Sequence, residues 1–201
     1  MTDPTGTMPA PMHVSSVPTG GELAPAPAAP AGVDPRLWAR FAAQVVVLPG
    51  GRCHLWLGRP RDDGYGQFWL PGGRVIRAHR FAWAAWHGPL ERRVVIRHQC
   101  DEPLCTPITP EAVDGHLAAG TQADNVVDRE IRGRGHHRRG GVRSWTVDRR
   151  GMAARSRALH DAVHAALAAG AGPADLVAVA ARVRADGASS PGQLDLNLFQ
   201  T

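Results

Sequence analysis

Cys100 and Cys105 sit close together in the run His98-Gln99-Cys100-Asp101-Glu102-Pro103-Leu104-Cys105, and His116 follows eleven residues later. Thiolates and imidazoles at such short spacings are the donors of structural zinc, which takes four nitrogen or sulfur ligands in a tetrahedron. The remaining cysteine, Cys53, can supply the fourth ligand, and His54 beside it is the alternative donor. A three-cysteine, one-histidine site would pin a long loop to an upstream strand and leave no thiol over. The plainer alternative is three buried thiols acting as small hydrophobes.

A second constellation is of a different chemical type. His98 lies at the end of a β-branched run, and Asn125 lies in the first turn of an expected helix. A histidine with a pKa near 6.5 suits a general base at neutral pH. A neutral amide oxygen is a hard ligand for Mg²⁺ (or Mn²⁺) that keeps several of its waters. A base beside a hydrated dication, with arginines for phosphate, is what phosphodiester hydrolysis requires. Against this, a lone histidine at a strand end is usually structural, and an asparagine in a first helical turn is often a cap.

The charge distribution bears on the partner. The 201 residues carry a net charge of +5, and every one of the 23 basic side chains is arginine. A lysine-free, alanine- and glycine-rich composition is a genome signature as much as a functional one. Its distribution is not: residues 129–150 hold eight arginines against two acids, while residues 34–128 and 151–201 are nearly balanced. Such a block suggests a polyanion, most simply nucleic acid. Arg129, Arg132, Arg134, Arg138 and Arg139 are its candidate backbone contacts, and His136 and His137 lie among them. No apolar run approaches the ~20 residues of a membrane span, and the N-terminus lacks the basic and apolar regions of a secretory signal. Three cysteines make no disulfide framework, so a reducing, cytoplasmic setting is expected.

Those residues need elements to position them. Seven prolines in residues 1–33 indicate a disordered leader. Asp34-Pro35 predicts a helix start, with Leu37, Trp38, Phe41 and Ala42 on the helix. Short strands are expected around Cys53–Leu57, Tyr65–Leu70 and Arg74–Arg77, broken by Asp62-Asp63-Gly64 and Pro71-Gly72-Gly73. A helix over Ala78–His87 carries His79, Trp83 and Trp86 on one face, where His79 reads as a brace for the sheet. Val94-Val95-Ile96 predicts a strand leading into Arg97-His98. A long loop follows to about Gly115, then a short strand at His116–Ala118. Thr121 and Asp124 form a shortened capping box for a helix from Gln122 to about Arg132. Met152–Ala169 and Pro173–Ala185 predict alanine-rich helices for packing or oligomer contact, so a homodimer is one assembly they could serve.

The pattern Cys53-x-x-Trp56-x-Gly58, Gly64-Tyr65-Gly66, Ala78-His79-Arg80, His98-x-Cys100-Asp101-x-Pro103-x-Cys105, His116-Leu117 and Gly120-Thr121-Gln122-x-Asp124-Asn125 resembles HNH endonucleases of the phage and actinobacterial type. These belong to the ββα-metal (His-Me finger) superfamily. The cysteine spacing is also similar to the His-Cys box homing endonucleases. The resemblance covers about residues 36–134, with many separated motifs in order. It implies an α+β fold with a small antiparallel sheet plus a ββα-metal motif at residues 34–134. Around this lie the leader at 1–33, an Arg/Gly-rich segment at 135–150 and a helical extension at 151–201.

The resemblance further implies His98 as general base, Asn125 as the catalytic metal ligand, and Cys53, Cys100, Cys105 and His116 as zinc ligands. One of Arg74, Arg77 or Arg80 would reach the scissile phosphate, with Arg77 also counted among the DNA contacts. Two departures stand out. Arg97 occupies the position where many HNH enzymes carry an aspartate, and the loop before His116 is longer than usual. The expectation is a metal-dependent endonuclease acting on double-stranded DNA. The competing one is a zinc-stabilised DNA-binding module that has lost turnover.

Overall fold

A computed structural model describes residues 26–50, 52–131 and 141–188. The side chains of residues 129, 130, 141–149, 187 and 188 are outside that description. So are the leader up to residue 25 and Arg132, Arg134, Arg138 and Arg139 of the basic block, together with the side chain of Arg129.

Helix α1 (Pro35–Ala42) starts where the sequence says it should. The Asp34 carboxylate accepts from the backbone N–H groups of Arg36 and Leu37, at 2.7 and 3.1 Å, and Pro35 occupies the first helical position. After α1 the valine run forms strand β1 (Val45–Val47), an element absent from the sequence-based expectation. It pairs antiparallel with β2 (His54–Trp56). A second antiparallel pair joins β3 (Gln67–Trp69) to β4 (Val75–Arg77) across the Pro71–Gly73 turn. Helix α2 (Ala78–His87) follows β4 directly, over the range that the periodicity predicts.

The third pair is β5 (Val95–His98) with β6 (Leu117–Gly120), registered so that His98 faces Leu117. Helix α4 (Gln122–Ile131) begins two residues after β6. Strand, strand and helix therefore follow in the order expected of the ββα unit. Between β5 and β6 lies α3 (Pro110–His116), where the sequence predicts only loop. Thr109 caps it through its hydroxyl, with Pro110 at the first helical position. Among the described residues the strands form three two-stranded pairs rather than one sheet.

Two large cores hold the described residues together, with a smaller cluster of Ile96, Val113 and Leu117 at the β5–β6 pair. One is aromatic: Phe41 lies 4.5–5.6 Å, centroid to centroid, from the rings of Trp38, Trp56, Phe68 and Phe81. Trp56 is fully buried, and two motif glycines make room for it. A Cβ at Gly58 would come within 2.6 Å of the indole, and one at Gly66 within 2.4 Å.

The other core is aliphatic and joins distant parts of the chain. Leu55, Leu57, Leu104 and Cys105 pack with Leu159, Val163, Leu167, Leu176 and Ala180. The last five belong to α5 (Gly141–Ala168) and α6 (Pro173–Ala188), so the C-terminal helices cover the β1–β2 pair and the loop behind Cys100. His160 and His164 of α5 both place Nε2 near the Leu57 carbonyl, at 3.1 and 2.8 Å. Of the two roles the sequence leaves open to these helices, packing is the one the structure displays.

Candidate metal centre and its surroundings

Four segments converge on one point. Cys53 immediately precedes β2 and Cys100 lies just beyond β5. Cys105 forms an isolated antiparallel bridge with Leu55 of β2, and His116 is the last residue of α3. Backbone bonds from Trp56 N to Leu104 O (2.8 Å) and from Thr106 N to His54 O (2.7 Å) anneal the Cys105 segment to β2. The donor atoms of Cys53, Cys100, Cys105 and His116 all lie within 4.8 Å of one another.

The spacing fits a metal ion. With Zn–S near 2.3 Å and Zn–N near 2.0 Å, a tetrahedron separates sulfur from nitrogen by about 3.5 Å and sulfur from sulfur by about 3.8 Å. Cys105 Sγ lies 3.5 Å from His116 Nδ1. Electrostatics points the same way. With three thiols sharing one pocket, hydrogen bonds from Cys105 and then Cys53 hold the Cys100 thiol well below its ordinary range. Its presence pushes Cys53 up to about 12 and Cys105 well above the ordinary thiol range. A dication at the centre would remove that conflict by letting all three ionise together.

His54, the alternative donor, is committed elsewhere. Its Nδ1 accepts from the backbone N–H of Ile108 at 3.1 Å, and burial, then the charge of His116, lowers its pKa to about 4. Sequence reasoning missed the brace on this loop. Glu102 is buried and accepts from Arg184 Nε of α6 at 3.3 Å. No local signal marks a residue 82 positions away as its partner.

The second constellation lies beside the first. The His98 ring is 4.7 Å from the buried His79 ring and 5.7 Å from that of Tyr65. Burial, followed by the charges of His98, Arg77 and Arg80, holds His79 well below the usual histidine range. Arg77 stacks on Tyr65, 4.6 Å from the ring centroid, and pairs with Asp63 at 2.7 Å. Arg80 donates to the Val94 carbonyl at 2.7 Å, and Arg74 is exposed just before β4.

Asn125 sits half-buried in the first turn of α4. Thr121 and Asp124 cap that turn reciprocally: Asp124 N–H donates to Thr121 Oγ1 at 3.2 Å, and Asp124 Oδ2 accepts from Thr121 N at 2.7 Å. The Thr121 backbone N–H, then its hydroxyl, which also donates to Oδ2 at 2.9 Å, hold the Asp124 carboxyl below its usual range. Arg97, one residue before His98, is paired with Asp128 of α4, which ties that helix to β5.

The fold and site together define an α+β protein with a Cys₃His cluster that could hold a metal ion. Over 82 residues the chain is 34% identical to Protein 7.7 of Escherichia phage T7, a stretch that is 41% of this chain and 58% of that protein. The chain thus spans somewhat more than half the length of this phage relative. No protein-family profile matches the chain, and no solved structure does. Among the described residues, no helix is long and apolar enough to cross a membrane.

Proposed function

We propose that this protein is a metal-dependent endonuclease that hydrolyses phosphodiester bonds in double-stranded DNA, leaving a 3′ hydroxyl and a 5′ phosphate. The observation that carries the reading is the placement of His98. It ends β5, beside a Cys₃His cluster, and β5 is tied through Arg97 and Asp128 to the helix whose first turn holds Asn125. In this reading the cluster binds zinc and is structural, because its four donors leave no open coordination position.

His98 takes a proton from the attacking water at a ring nitrogen. Asn125 offers its amide oxygen to Mg²⁺ or Mn²⁺, which when bound supplies charge stabilisation at the scissile phosphate and the departing 3′ oxygen. A single neutral protein oxygen suits an ion that keeps most of its waters and takes further ligands from the phosphate. Arg74, Arg77 and Arg80 are the candidates for the scissile phosphate. The block from Arg129 to Arg139 would hold the DNA backbone, giving affinity that falls steeply with salt.

One observation favours a second reading, a zinc-stabilised DNA-binding module without turnover. The position before His98 carries no acidic ligand, and its arginine is bound to Asp128. A plasmid assay separates the two. Supercoiled DNA at low salt with Mg²⁺ or Mn²⁺ should be nicked by the wild type and left intact with EDTA. His98→Ala should abolish nicking while circular dichroism and DNA binding stay unchanged. Intact plasmid with wild-type protein removes the enzyme reading, and retained cleavage by His98→Ala removes His98 as the base.

A further inference from the structure

The ring of Tyr65 has three neighbours, the nearest ring being that of the buried His79 at 5.2 Å. On it sits the guanidinium of Arg77, 4.6 Å from the centroid, and 5.7 Å away lies the ring of His98. We infer that Tyr65 is a positioning residue that fixes Arg77 relative to His98, and that Arg77 is the arginine presented to the phosphate. This deepens the nuclease reading of the site and rests on it.

The other two arginines are less well placed. The guanidinium of Arg80 is partly buried and donates to the Val94 carbonyl at 2.7 Å, so it braces α2 against the chain entering β5. Arg74 is exposed three residues before Arg77, beside the Pro71–Gly73 turn. Arg77 combines a fixed plane with access: its side chain is 42% exposed, while its partner Asp63 is 18% exposed. The stacked face and the Asp63 carboxylate fix one side of the guanidinium. Its five N–H donors leave others for a phosphate.

The platform is itself supported from outside the ββα unit. Asp63 Oδ1 accepts from the Tyr65 backbone N–H at 3.3 Å, so one side chain shapes the turn and holds the arginine. Gly64, between them, has φ +84°, and a Cβ there would lie 2.9 Å from Ala153 Cα of α5. Arg157 of α5 donates to the Asp62 carbonyl at 3.3 Å. The C-terminal helix therefore buttresses the turn that carries Asp63 and Tyr65. This gives residues 151–168 a role in the site that their sequence, without a basic stripe, does not suggest.

The test is steady-state nicking of a short duplex by full-length protein loaded with zinc and supplied with Mg²⁺. A misplacement of about 1 Å at a reacting centre costs on the order of 100-fold in rate. Tyr65→Leu should lower kcat by about that factor while KM changes by less than about threefold, and Tyr65→Phe, which keeps the ring, should restore most of the loss. Arg77→Lys keeps the charge but not the plane stacked on Tyr65, and should lower kcat by at least about tenfold. Zinc content and circular dichroism of each variant report folding.

If His98→Ala is inactive while Tyr65→Leu or Arg77→Lys turns over like the wild type, the platform is overturned and the nuclease reading stands. The platform is equally overturned if Tyr65→Phe is as impaired as Tyr65→Leu. A wild-type protein that never nicks DNA overturns both.

Discussion

Removing the zinc proposed for the Cys₃His cluster is the perturbation with the most calculable outcome. A ligand held at about a thousandfold above its Kd contributes about 4 kcal/mol to stability, and tightly bound structural zinc exceeds that margin. For a chain of this size each kcal/mol moves Tm by about 2–4 °C, so chelation should lower Tm by at least about 8 °C. The loss should also be local. The Cys105 side keeps its bridge to Leu55, its backbone bonds to β2 and its place in the aliphatic core. Cys100 and His116 are only half-buried at the two ends of the loop. Hydrogen exchange should therefore accelerate over residues 99–103 and 107–116 before it does over β2 or α2. The assay is thermal unfolding with and without chelator, beside elemental analysis and exchange by mass spectrometry. About one zinc per chain is expected after dialysis, and Cys100→Ser should abolish it. A dialysed protein that contains no zinc, yet melts at the same temperature with and without chelator, would refute the reasoning.

Gly66→Ala places a methyl 2.4 Å from the buried Trp56 indole. Overpacking of this kind costs about 1–3 kcal/mol, to be read from denaturant midpoints; a neutral result would show that the tryptophan can move aside. His79 gives a pH dependence. Because burial and neighbouring cations depress its folded pKa, only the unfolded chain binds the proton below about pH 6.5. Its contribution is complete above that value and is lost as the pH falls below it. His79→Phe should flatten stability between about pH 7 and pH 5.5 relative to wild type, and parallel curves for the two proteins would exclude it. Nicking should be lost in His98→Ala with DNA binding retained, and binding should weaken steeply with salt.

Much of the local structure is legible in the chain because its signals are local. Asp34-Pro35 starts α1, the Thr121–Asp124 box starts α4, and the i, i+4, i+7 spacing marks α2. Two further elements carry signals of the same kind that are easily passed over. Thr109-Pro110 is the same start signal as Asp34-Pro35, and Val45–Val47 is as β-branched as the run that forms β5. Helix α5 starts at Gly141, eleven residues before the predicted Met152, inside the arginine-rich stretch. The three thiols of the cluster are legible too, since the chain has no other cysteine.

What the sequence alone determined is donor chemistry and element type: thiols and an imidazole that could hold a metal ion, and a strand–strand–helix order around His98. The tertiary structure decided which donor completes the set. His54 and His116 are both candidates by sequence, and burial of His54 against the Ile108 N–H leaves the place to His116. It also decided the partners of the arginines, because Arg74, Arg77 and Arg80 differ only in where their side chains end. Arg184 on Glu102, Ala153 under Gly64 and Arg77 over Tyr65 join segments far apart in sequence or turned toward each other only by folding. No periodicity encodes such contacts: the first two come from the packing of α5 and α6 against the rest of the chain, and the third from the β3–β4 pairing that returns Arg77 to Tyr65.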